Sequence, residues 1–107
     1  MLESNDHAEL SASLNGETAK LHWQELQPHY ARGVVIRVAG NLDLVEVALR
    51  LTLDDKPAFE SWLRTGAVSR IDVEQAQAWA MRDAQLWAVV VAPWILVQEK
   101  RIVSDLN

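Results

Sequence analysis

The feature that most constrains the fold is an uncharged run of twelve residues, LWAVVVAPWILV, at positions 86–97. A helix that crosses a bilayer needs about 20 apolar residues, whereas this run ends at the polar pair Gln98 and Glu99. Its valines and isoleucine favour extended backbone, because β-branched side chains pack well on a pleated surface. Pro93 lacks a backbone N–H and excludes one continuous helix or one regular central strand. We predict two extended segments, 87–92 and 94–99, joined by a bend or a bulge.

The first of these segments is apolar on both faces. Successive side chains of a strand point to opposite sides, and both alternating sets are apolar between residues 87 and 92. Both faces are therefore expected to be covered, either by helices or by a second copy of the chain. We expect Val90 to lie in the core, so that Val90→Asp unfolds the domain. We also expect the chain to self-associate.

Length, charge and cysteine content limit the kinds of protein that this chain can be. A chain of 107 residues, half of them hydrophobic, fits one folded domain with frayed ends at about 1–6 and 104–107. The net charge of −5 argues against nucleic acid and anionic lipid as partners, because both select a basic face. The chain has no cysteine for a disulfide or a zinc–thiolate site. Its first residues lack the pattern of a signal peptide, so we expect a cytoplasmic location and no membrane association.

The first half of the chain predicts two helices and a strand. Apolar residues recur at helical spacing between about Asp6 and Leu21, although Asn15 and Gly16 weaken the middle of that helix. A second helix is predicted over 23–31, and Gly33 suits its end because glycine adopts a left-handed conformation without steric cost. Residues 34–38 then predict a strand that Gly40 and Asn41 follow as a turn.

The second half predicts three more helices. Residues 43–53 fit either a strand or a helix, and we choose the helix because Asp43 and Glu46 have the spacing of a capping box. Asp54 or Asp55 is expected to cap a helix that carries Pro57 in its first turn and ends at Gly66. A short extended segment at 68–71 precedes a helix capped by Asp72. Inward-facing residues of these two helices are predicted to be Phe59, Trp62, Leu63, Ala76, Trp79 and Ala80.

This order of elements predicts an α+β domain in which about five helices pack on a small sheet of three to four strands. Several phrases of the sequence also resemble one family of short bacterial proteins, catalogued as domain of unknown function 2288, across about residues 10–99. The most specific is WAVVVAPWILVQE at 87–99, and the others are ETAK at 17–20, WQEL at 23–26, ARG at 31–33, LDLVE at 42–46, DDK at 54–56 and Trp62. The resemblance implies a bacterial, cytoplasmic protein and assigns no catalytic residue.

Three polar residues are candidates for a small-molecule or catalytic site. Arg37 interrupts a strand made otherwise of valine and isoleucine. It can face solvent, pair with a carboxylate near Glu99 across the sheet, or bind an anion through its planar guanidinium. Asp54 and Asp55 form the carboxylate pair that capping explains least, since one of them is left over if the other caps a helix.

Trp94 is the candidate anchor for a partner protein. It follows Pro93 at the predicted bend, where a large ring can reach the surface and dominate an interface; burial in the core is the alternative.

His22 and His29 stand seven residues apart, about 10.5 Å along a helix, too far to share one metal ion. We therefore expect no metal and no cofactor.

The sequence supports two hypotheses about function. The preferred hypothesis is a small protein that is not an enzyme and acts by binding, as a homodimer or an adaptor. The alternative is a small-molecule-binding protein or enzyme with a site near Arg37, Asp54 and Asp55.

Overall fold

The sheet has five strands and lies between two layers of helices. A computed structural model describes residues 2–100, with side chains from residue 7 onward; the predicted fraying at 104–107 lies outside this range. The strand order is β1-β4-β5-β2-β3. The elements are α1 (Leu2–Glu17), β1 (Ala19–His22), α2 (Trp23–Ala31), β2 (Val35–Val38), α3 (Leu44–Thr52), α4 (Lys56–Thr65), β3 (Val68–Arg70), α5 (Val73–Met81), β4 (Gln85–Val91) and β5 (Trp94–Gln98).

The apolar run forms the centre of this sheet. Strands β4 and β5 pair antiparallel, from Trp87 opposite Gln98 to Val91 opposite Trp94. The connection between them contains a cis peptide bond at Ala92–Pro93. The predicted pair of extended segments is confirmed, and the bend between them is the turn of a β-hairpin. Because β5 also pairs in parallel with β2, the sheet is mixed and the α+β class is confirmed.

The prediction of three to four strands is corrected by β1. The first helix ends at Glu17, and the hydroxyl of Thr18 donates to the carbonyl of Leu14 over 2.8 Å. The chain then pairs with β4, placing Leu21 opposite Leu86. Leu21 therefore lies in a strand, although its spacing suggested a helix. The helical period misled because four residues are too few to show alternation, and pairing with β4 determines their conformation.

Each face of the sheet packs against its own helices. The first hydrophobic cluster joins Ile36, Val89 and Leu96 of the sheet to the apolar faces of α1 and α3. The second joins Val35, Ile95 and Val97 to α2 and α5, where Trp23 and Trp79 meet with ring centroids 5.4 Å apart. The chain's own helices therefore cover both faces, one of the two predicted solutions.

Val90 is an exception to this cover, and the expectation that it lies in the core is wrong. Its side chain is 57 % exposed, whereas that of Val89 is 1 % exposed. Strand β1 pairs with β4 from residue 85 to residue 88, so Val90 lies beyond its end. The layer of α2 and α5 leaves this end of the strand open.

The helix ends follow the predicted caps. The carboxylates of Asp43, Asp55 and Asp72 accept hydrogen bonds from backbone N–H groups in the first turns of α3, α4 and α5. The choice of a helix over 43–53 is thereby confirmed. The capping box predicted for Asp43 and Glu46 is not formed, since the Asp43 carboxylate accepts from the N–H of Val45 and that of Glu46 accepts from Arg50. Gly66 ends α4 with φ of 81°.

Two residues predicted to face inward are exposed. Leu63 of α4 is 51 % exposed, and Ala80 of α5 is exposed as well. Helix α4 packs at the margin of the sheet, beside the three-residue strand β3, so its apolar side is incompletely covered. Within residues 2–100, no helix is both long and apolar enough to cross a membrane.

Candidate functional site

Trp94 lies at the edge of the first hydrophobic cluster. It is the first residue of β5, it is half-buried, and it packs against the buried residues of that cluster. The guanidinium carbon of Arg70 lies 6.0 Å from the centroid of its ring, within the range of a cation–π contact. Trp94 is therefore neither a core tryptophan nor a fully exposed one.

A groove runs between Trp94 and helix α4. It has a volume of about 270 Å³, and we call it the α4 groove. Of the six described residues that line it, five are apolar and Arg70 is charged. The lining residues are Ile36, Leu51, Phe59, Leu63, Arg70 and Trp94.

The groove exists because α4 is amphipathic without being buried. Phe59, Trp62 and Leu63 lie on one side of the helix, as their spacing of three and four residues requires. Phe59 and Trp62 contact each other edge to face, with ring centroids 5.9 Å apart. None of the residues of α4 is fully buried. A helix whose apolar side stays accessible is typical of a surface that binds another chain.

Arg70 is held at the rim of the α4 groove. In the register of β3 against β2, Arg70 lies opposite Ile36 on the same face of the sheet. Its Nη1 donates a hydrogen bond of 3.0 Å to the carbonyl oxygen of Gly33. Gly33 has φ of 78°, a conformation that glycine adopts at low cost and that turns the chain after α2. Within residues 7–100, no carboxylate forms an ion pair with Arg70.

Asp54 and Asp55 immediately precede the first turn of α4. Asp55 caps the helix, and its Oδ2 is 3.5 Å from Nη1 of Arg50. A hydrogen bond from Arg50 to Glu46, followed by the charges of Glu46 and Asp55, raises the pKa of Arg50. Asp54 is exposed and has a left-handed backbone with φ of 58°. Both aspartates border a depression of about 190 Å³ that shares its apolar wall with the α4 groove.

Arg37 is remote from these aspartates. Its neighbours Ile36 and Val38 pack against α3, so the side chain of Arg37 points to the opposite face, where α2 and α5 lie. It does not pair with Glu99, whose Oε2 accepts hydrogen bonds from Nε1 of Trp79 and Nη2 of Arg82. The structure therefore does not bring Arg37, Asp54 and Asp55 into one site.

The two histidines also have separate surroundings. His22 ends β1, where its Nδ1 lies 3.1 Å from Oδ2 of Asp83 and its Nε2 lies 3.2 Å from Nε2 of Gln85. His29 contacts the guanidinium of Arg32 near the end of α2. In the part of the chain that the structure describes, no three histidine, aspartate or glutamate side chains are arranged to hold a metal ion.

Of the residues predicted to bind, Trp94 is the one that borders the α4 groove. Sequence reasoning missed Arg70, because it stands in a strand too short to show which face it occupies. The predicted inward orientation of Phe59 is confirmed, since Phe59 packs against the first hydrophobic cluster, whereas Leu63 is exposed. Helical spacing shows that residues share a side but not what covers that side. The signal available in the sequence was the spacing of Phe59 and Leu63, four residues apart on one side of α4.

Comparison with known proteins supports the fold and assigns no activity. A family model described as a protein of unknown function, DUF2288, matches residues 9–99. The chain is similar to PA1075 from Pseudomonas aeruginosa, whose structure was determined in solution by NMR. The two are 45 % identical, with a TM-score of 0.76 over 92 % of each chain. The chain matches none of the curated proteins.

Proposed function

We propose that this chain, which belongs to the DUF2288 family of proteins of unknown function, acts as an adaptor whose α4 groove binds an apolar segment of a partner protein. The observation that carries this proposal is the accessible apolar side of α4, where Leu63 is 51 % exposed beside the half-buried Trp94. Large rings at partly exposed positions supply much of the energy of protein interfaces. A bacterial cell is the proposed setting, and the cytoplasm the proposed location.

The size of the groove favours side chains over a larger ligand. Pockets for drug-sized molecules and cofactors usually measure about 300–1,000 Å³. The α4 groove, at about 270 Å³, lies at the lower end of that range, and one or two apolar side chains of a bound segment would fill it. The alternative site at Arg37, Asp54 and Asp55 has less support, because these residues lie on two faces of the sheet.

Selection from a displayed library of random peptides tests the proposal. We expect the folded protein to enrich peptides with large apolar residues, and Leu63→Gln to lower their affinity by about tenfold, as loss of a buried apolar contact predicts. Met81→Gln is the matched control, because Met81 is 89 % exposed at the end of α5 and lies outside the groove. Failure to enrich any peptide, or equal effects of the two substitutions, would contradict the proposal.

Self-association is a second candidate, at a different surface. Val90 leaves an apolar side chain 57 % exposed beyond the end of β1. It lines a groove of about 370 Å³ beside α2, together with Leu21, Pro93 and Ile95. We propose that a second copy of the chain covers this Val90 surface, since exposed apolar side chains at the end of a central strand invite burial. A dimer formed in this way leaves the α4 groove, on the other face of the sheet, free for a partner.

A further inference from the structure

We infer that the segment bound in the α4 groove carries an aspartate or glutamate that pairs with Arg70, next to its apolar anchor. This inference rests on the proposed function and names the chemistry of the partner. Arg70 is the one charged residue that lines the groove, and all the other lining residues are apolar. A ligand confined to this groove therefore meets apolar walls and, among the described residues, one cation at the rim, whereas Asp54, Asp55, Lys56 and Glu60 border the adjoining depression.

Two contacts hold the guanidinium of Arg70 in place. The carbonyl of Gly33 accepts a hydrogen bond from Nη1, and the ring of Trp94 lies 6.0 Å from the guanidinium carbon. Nε and Nη2 donate to no acceptor within residues 7–100. A planar guanidinium with donors to spare suits a carboxylate, which accepts two parallel hydrogen bonds. Because these two contacts restrain the exposed side chain of Arg70, less side-chain entropy is lost when it binds.

The charges around Arg70 leave it available. Arg50 of α3 contacts both Glu46 and Asp55. Arg82 contacts Glu99 on the far side of the sheet. Arg70 has no such partner within residues 7–100, although the chain as a whole carries a net charge of −5. An unpaired cation at the edge of an apolar groove favours an acidic group over a neutral or basic one at that position.

The matched pair N-acetyl-L-phenylalanine and N-acetyl-L-phenylalanine amide tests this inference. Both probes present the same apolar ring, and one of them carries a carboxylate. Titration of isotope-labelled protein followed by NMR reports affinity and location together. We expect both probes to shift the signals of Phe59, Leu63 and Trp94. The acid should bind about fivefold more tightly than the amide, the upper end of the range for exposed ion pairs.

Variants distinguish the effect of Arg70 from that of any other positive charge near the groove. Arg70→Gln should abolish the preference for the acid, and Arg70→Lys should retain part of it, because lysine keeps the charge without the planar fork. Arg64→Gln is the control, since Arg64 is an exposed arginine of α4 outside the groove. The preference should also shrink at high salt, which screens exposed charges.

The possible failures are distinguishable. If both probes bind the groove with equal affinity, or if Arg64→Gln lowers the preference as much as Arg70→Gln, the carboxylate inference is wrong and the proposed function stands. If neither probe shifts the signals of Phe59, Leu63 and Trp94, the groove does not bind apolar groups, and both proposals are overturned.

Discussion

At the scale of single residues, neighbouring positions in one strand differ sharply. Val89 packs between the sheet and the helices of the first cluster, whereas Val90 is largely exposed at the end of β4. In the sequence, both are valines of one apolar run. The alternation of a strand places them on opposite faces of the sheet, but it does not show which face the helices cover. The difference depends on the helices, because those of the first cluster cover Val89 whereas α2 and α5 leave Val90 open, and the sequence does not reveal this.

The two valines make a matched pair for a stability test. Val89→Asp should abolish cooperative folding, because burying an unpaired carboxylate costs several kcal/mol of the roughly 5–15 kcal/mol available to a typical domain. Val90→Asp should leave the domain folded with a loss of about 1 kcal/mol or less, because the new carboxylate stays hydrated. Urea unfolding followed by circular dichroism measures both. Equal losses in the two variants would contradict the assignment of faces in β4.

At the scale of elements, local chemistry predicted more than spacing did. Asp43, Asp55 and Asp72 each stand at the start of a helix that the sequence predicted, because a carboxylate before a helical segment satisfies its free N–H groups. Helix α2 has the predicted bounds. Strand β1 was missed, since its four residues are held in place by β4, more than sixty positions away in the chain. Short elements that depend on distant partners carry little local signal.

The caps give a prediction at this scale. Asp72→Ala should lower the free energy of unfolding by about 1 kcal/mol, because the N–H of Gln75 loses its acceptor. The expected fall in Tm is about 4–8 °C for a domain of this size. Glu60→Ala is the control, since Glu60 is an exposed residue inside α4. Thermal melts of the two variants decide the matter, and a control that melts as early as Asp72→Ala would argue against the capping role.

At the scale of the whole molecule, the helices cover most of both sheet faces in the described part of the chain, and two of the apolar surfaces that they leave accessible are grooves beside the sheet. One is the Val90 surface on the side of α2, and the other is the α4 groove on the opposite face. The sequence predicted a covered central strand and a tryptophan at its bend. It did not predict the groove, because the groove is formed by residues of α3, α4, β2, β3 and β5 together.

Self-association can be measured on the intact protein. Sedimentation at micromolar concentration should show a dimer or larger assembly, and Val90→Asp should shift the protein to the 12.0 kDa monomer by placing a charge in the interface. The urea transition of Val90→Asp provides the control that the variant is folded. A wild-type protein that sediments as a monomer would contradict self-association and leave the α4 groove unaffected.

The most direct test of the central claim is the effect of Trp94→Ala on two quantities, the affinity for the most enriched displayed peptide and the stability of the fold. Trp94 is half-buried at the groove, so we predict a variant that still unfolds cooperatively and binds the peptide about 30-fold more weakly, the loss of about 2 kcal/mol typical of an interface anchor. If Trp94→Ala binds with wild-type affinity, Trp94 does not anchor a partner. If it fails to fold, Trp94 belongs to the core, and the groove is not the binding surface that we propose.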